Sequence, residues 1–90
     1  MANLIYTNRF KKDLKLCQKQ GRNLDKIKVV FDILLSGETI PSRYKDHPLS
    51  GEWKGFRDLH IEPDWLLVYY VNEDNIYLTA TGSHSYILRM

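Results

Sequence analysis

The chain has 90 residues, 43% of them apolar and 27% charged, which makes one ordinary folded domain over residues 1–90 and leaves no room for a second core. Thirteen Lys and Arg against 11 Asp and Glu give a net charge of +2, too mild to imply a nucleic-acid partner by itself. A lone cysteine, Cys17, excludes an internal disulfide and points to a reducing, cytoplasmic setting, and no apolar run approaches the roughly 18–20 residues of a membrane span.

Residues 3–7, NLIYT, read as a short strand, with Thr7 or Asn8 placed to cap the helix after it. In RFKKDLKLCQKQG, Phe10, Leu14 and Cys17 fall on one face, while Lys12, Lys15 and Lys19 fall on the other. Gly21 stops this helix and Asn23 caps a second, LDKIKVVFDILLSG, whose buried stripe is Leu24, Ile27, Phe31 and Leu34. The short join makes the pair a helical hairpin. Cys17 lies on the buried stripe and reads as a small core residue.

From Glu38 to Lys54 the periodicity vanishes, and Pro41, Pro48 and Gly51 mark a long loop. Three strands follow: GFRDLHI, WLLVYYV and NIYLTAT. The first puts Leu59 and Ile61 on one face and Phe56, Asp58 and His60 on the other. The second is apolar on both faces and should be central. Pro63 and Asp64 form a two-residue turn that sets Glu62 opposite Trp65. The fold class is therefore α+β, in the order β-α-α-β-β-β. An antiparallel sheet carries the helical hairpin on one face and leaves the other, to which His60 points, open.

The chain's three histidines, His47, His60 and His84, all lie in its second half and outside both helices. Asp64 sits at the hairpin tip within reach of His60. Two chemistries fit this set. Three histidines and an aspartate can bind zinc, although the spacings match no compact ligand motif. Alternatively, they can cleave RNA without metal. RNA supplies its own 2′-hydroxyl nucleophile, so the protein needs a base, an acid and cations, and imidazole serves both proton-transfer roles near neutrality. Lys45, Lys54, Arg57 and Arg89 lie close in sequence to the histidines and can supply the charge. The lysine face of the first helix, continued by Arg22, Lys26 and Lys28, can follow a phosphate backbone. Trp53 and Phe56 are placed to stack on a base, whereas Trp65, Tyr69 and Tyr70 read as core.

The stretch YKDHPLSGEWKGFRDLHIEPDWLLVYY, followed by ATGSHS, closely resembles the YafQ-type branch of the RelE/ParE toxins of bacterial type II toxin–antitoxin systems. The likeness extends to FKKDLKL in the first helix. It implies a ribosome-dependent mRNA endonuclease that uses no cofactor or metal. Its partners would be the ribosome, mRNA and a cognate antitoxin through which the complex binds its operator DNA. The family's functional residues match His47, His60, Asp64 and His84, and Trp65 matches the aromatic after the aspartate, which makes it a candidate substrate contact beside Lys45, Lys54, Arg57 and Arg89. From their placement, His84 is assigned as general acid on a mobile C-terminal segment. Asp64 is assigned as the base, with His60 its orienting or charge-stabilising partner, and His47 completes the positive pocket. Relatives often carry arginine at the position of Ala80 and phenylalanine at that of Leu88. A weaker toxin, a shifted codon preference, or a clamp supplied by Arg57 or Arg89 are the consequences. The rival readings are a ParE-like toxin that binds DNA gyrase and an attenuated toxin that acts as an antitoxin-binding subunit.

Overall fold

The computed structural model describes residues 2–88. Strand β1, Asn3–Tyr6, is followed by helix α1, Asn8–Lys19, and helix α2, Leu24–Ser36. Thr7 does two jobs at the first junction. Its side chain accepts from the Phe10 amide (3.1 Å), capping α1, and donates to the Leu78 carbonyl (2.8 Å), tying the helix start to the sheet. Asn23 caps α2 through the Asp25 amide, and Gly37 ends α2 in the left-handed region at φ 72°.

Strand β2 is only His47–Pro48; β3 spans Arg57–Glu62, β4 Trp65–Asn72 and β5 Asn75–Gly82, and helix α3 covers His84–Leu88. Five strands lie in the order β1-β5-β4-β3-β2. The meander from β2 to β5 is antiparallel, and β1 adds to β5 in parallel. The sheet is thus mixed, with one strand and one helix beyond the expected order. Both additions are too short to show a period. The hairpin turn does set Glu62 opposite Trp65, and a bulge between His60 and Glu62 precedes it.

Apolar β4 is the central strand and serves two cores. On the helix side Trp65, Leu67 and Tyr69 pack with Phe10, Cys17, Ile27 and Phe31. On the other side Leu66, Val68, Ala80 and Ile87 form a smaller core, covered by Leu49, Trp53, Phe56 and Tyr86. The face expected to be open is therefore half-covered, because the long loop folds back and α3 packs on it. Trp53 and Phe56 meet edge to face, 5.3 Å between centroids, and spend their rings on this packing.

One buried residue on α1 is a carboxylate. Asp13 accepts from the Thr81 amide (3.2 Å), the Tyr86 hydroxyl (2.6 Å) and Arg9 Nε (3.4 Å). Three donors satisfy the charge inside the protein, and they tie α1 to β5 and α3. Gly82 completes this junction. At φ 155° it accepts a conformation costly for other residues, and a Cβ there would stand 2.7 Å from the Tyr86 ring.

Candidate active site

Three elements bring the histidines together. His47 comes from β2, His60 from β3, and His84 opens α3. The His60 ring centroid lies 6.3 Å from that of His47 and 5.2 Å from that of His84, so the imidazoles form a row with His60 in the middle.

Each outer ring is oriented through Nδ1. His47 Nδ1 lies 2.7 Å from the Lys45 carbonyl, which can only accept. The neutral ring then carries its proton on Nδ1 and leaves the Nε2 lone pair free. Lys45 adopts φ 51°, uncommon outside glycine. His84 Nδ1 lies 2.8 Å from Asp64 Oδ1, and the same oxygen accepts the His84 backbone amide at 2.9 Å. Those two bonds, the backbone one first, hold the Asp64 carboxyl below the usual aspartate range. Asp64 is thus engaged with His84, not with His60 as its place at the hairpin tip suggests. His84 opens a short helix. Ser83 caps α3 through the Tyr86 amide, and Ile87 anchors it in the second core.

A depressed carboxyl makes a pH-dependent contribution to stability. With the folded value below the unfolded one of about 3.9, the contribution is complete above that value and is lost as pH falls through the folded one. Urea denaturation of the parent and of Asp64→Ala is therefore expected to differ at neutral pH and to converge on acidification. A gap that persists undiminished at low pH would show that the carboxylate charge is not its source.

Beneath the row lies Asp58, which the sequence reading placed on the His60 face without a role. It pairs in register with His47, its Oδ1 is 3.0 Å from His47 Nδ1, and it is 6% exposed. Burial pushes its carboxyl upward, against the pull of His47, His60 and His84, in that order. The alternation of β3 was the available signal, since Asp58 and His60 are two residues apart.

The expected cationic contacts are distributed differently. Arg57 pairs with Tyr69 across β3 and β4, which puts it on the helix-side face, away from the histidines. There its guanidinium donates to Asp46 Oδ2 at 2.8 and 3.1 Å, while the Tyr69 hydroxyl donates to Asp46 Oδ1. Trp65, expected to touch substrate, is 0% exposed and donates through Nε1 to Thr81 Oγ1 at 2.9 Å. Lys45 and Lys54 are exposed on the long loop, Lys45 two residues before His47. Ala80 is buried in the second core. Arg89 and the Leu88 side chain lie outside the described residues.

The Nδ1 atoms of His47 and His84 are turned to the Lys45 carbonyl and to Asp64, which leaves both Nε2 atoms free. Among the described residues no group of three or more His, Cys, Asp and Glu is gathered to hold a metal ion.

Comparison with known proteins bears on the whole chain. The family model for the bacterial toxin of type II toxin–antitoxin systems, YafQ, matches residues 2–89. The mRNA interferase toxin YafQ of Escherichia coli (strain K12) is 41% identical over 84 residues, covering 92% of this chain and 91% of that protein. In the crystal structure of the E. coli DinJ–YafQ complex, one chain superposes with a TM-score of 0.89 at 38% identity, covering 97% of this chain and 98% of that one. A metal-bound toxin from Helicobacter pylori superposes with a TM-score of 0.88 at 38% identity, covering 97% and 99%.

Proposed function

The chain belongs to the YafQ family of type II toxin–antitoxin toxins, and from that footing we propose that it is an endoribonuclease that cleaves mRNA on the ribosome and is held in check by a cognate antitoxin. The observation that carries the reading is the row of three imidazoles with a carboxylate on its His84 end. The E. coli relative named as an mRNA interferase and the DinJ–YafQ complex support the substrate and the partner. We infer further that the antitoxin carries the complex to its operator DNA.

The chemistry runs through the row. His47 Nε2, left with its lone pair, takes the proton of the 2′-hydroxyl. The 2′-oxygen then attacks phosphorus and the bond to the 5′-oxygen breaks. The leaving oxygen takes a proton from the His84 imidazolium, which Asp64 orients and stabilises. The products are a 2′,3′-cyclic phosphate and a free 5′-hydroxyl. In-line displacement puts the attacking and leaving oxygens on opposite sides of phosphorus. A base and an acid on opposite sides of His60 suit that requirement, and His60 faces the charge that develops between them. No step uses a metal.

Expression without a partner is expected to arrest growth, and primer extension on a reporter mRNA should show new 5′ ends inside the reading frame. Elemental analysis of the purified protein checks the metal-free part, which stoichiometric metal on the histidines would overturn. Arrest with intact mRNA and accumulating DNA breaks would replace the nuclease with a ParE-like gyrase toxin.

A further inference from the structure

Beyond His60, where β3 runs towards the hairpin, lies a cavity of about 500 Å³ between α2, the turn at residues 43–45 and the end of β3. We propose that this cavity is the specificity subsite for the base of the nucleotide on the 5′ side of the cleaved bond, the one bearing the attacking 2′-hydroxyl. The inference rests on the endoribonuclease reading and adds to it the place where sequence is read.

Four observations carry it. The first is size: the volume lies within the range of small-ligand sites and suits one nucleotide. The second is chemistry. Val29, Tyr44 and Ile61 give apolar walls, while Lys26, Arg43 and Lys45 bring three cations. The lone carboxylate, Glu62, is matched by Lys26 at 2.7 Å, so Arg43 and Lys45 remain in excess for a phosphate. The Arg43 guanidinium lies 4.8 Å from the Tyr44 ring centroid, and a guanidinium plane is a stacking surface for bases.

The third is a free strand edge. β2 pairs only with Arg57 and Asp58. Among the described residues, no other backbone hydrogen bond reaches the outer edge of residues 59–62. An open edge presents donors and acceptors in a fixed row, which can read the polar edge of a base. The fourth is continuity. His60 lines both the cavity and the catalytic row, and Lys45 stands two residues from His47. A nucleotide with its 2′-hydroxyl at His47 therefore has its base next to the cavity mouth.

Val29 is 49% exposed on α2, so Val29→Trp can fill the cavity while leaving the core intact. Single-turnover cleavage would be measured on ribosomes programmed with mRNAs carrying each of the four bases 5′ of the cut. The parent is expected to discriminate by about 10–200-fold, the range a shaped pocket supplies, and Val29→Trp to flatten the preference. In parallel, nucleoside 3′-monophosphates added to the free protein should shift the NMR signals of Val29, Tyr44 and Ile61 in the parent and not in the variant. An unchanged base preference in Val29→Trp, or nucleotide shifts confined to the histidines, would overturn the subsite. So would a variant whose only defect is weaker antitoxin binding, since the cavity would then hold a protein segment. Nucleotide shifts in the cavity of a parent that cuts no RNA would keep the binding site and sink the nuclease reading instead.

Discussion

Replacing His84 by alanine is expected to slow single-turnover mRNA cleavage by about 10²–10⁴-fold, the usual loss when a positioned proton donor is removed. The fold should not share in the loss. The backbone amide of residue 84 still reaches Asp64, and Ile87 still anchors α3. Ribosome affinity and the denaturation midpoint are expected to stay near those of the parent. Cleavage at the parent rate would move the acid to another member of the row, with His60 next in line because its ring is 5.2 Å away.

Trp65→Ala is expected to lower activity by a different route. Removing a fully buried large aromatic costs about 3–5 kcal/mol. Small domains have about 5–15 kcal/mol in total, so the variant would give up a large share of its stability and its level in cells should fall several-fold. Trp65→Phe separates the two causes. Thr81 keeps its bond to the Leu66 carbonyl (2.7 Å), so the variant gives up about one hydrogen bond, roughly 1 kcal/mol, and should still cut. Urea denaturation read beside cleavage decides the matter. An alanine variant as stable as the parent yet inactive would return Trp65 to the substrate.

Much of the fold was legible because it is locally encoded. Phe10 and Cys17 on one helix face, Asn23 as a cap and Gly37 as a stop are short-range signals, and the structure has them. The central place of β4 follows from its apolar run, and the Glu62–Trp65 pairing from a two-residue turn. What was not legible depends on distant partners. Nothing in NLIYT says that β1 joins β5 or that it runs parallel. The two residues of β2 and the five of α3 are too few to show a pattern. Asp13 reads as one more polar residue on α1 until Thr81 and Tyr86 arrive from the far end of the chain. The histidines and Asp64 stood out through their motif, but their pairing did not, because Asp64 bonds across space to His84 and not along its own hairpin. Arg57 is a different case. It alternates with Asp58 and His60, so its place on the opposite face was already written in β3.

The parallel seating of β1 also sets an order in time. Asn3 waits for Asn75, a separation of 72 residues, and His84 comes later still. At about 5–20 residues per second, that interval is roughly 4–14 s of synthesis. During it the emerging chain owns α1, α2 and two of the three imidazoles. It lacks the strand that closes the sheet and the ring that Asp64 holds. A translating ribosome can thus make most of these residues before the row of imidazoles is whole, because its last member comes from α3, behind all five strands.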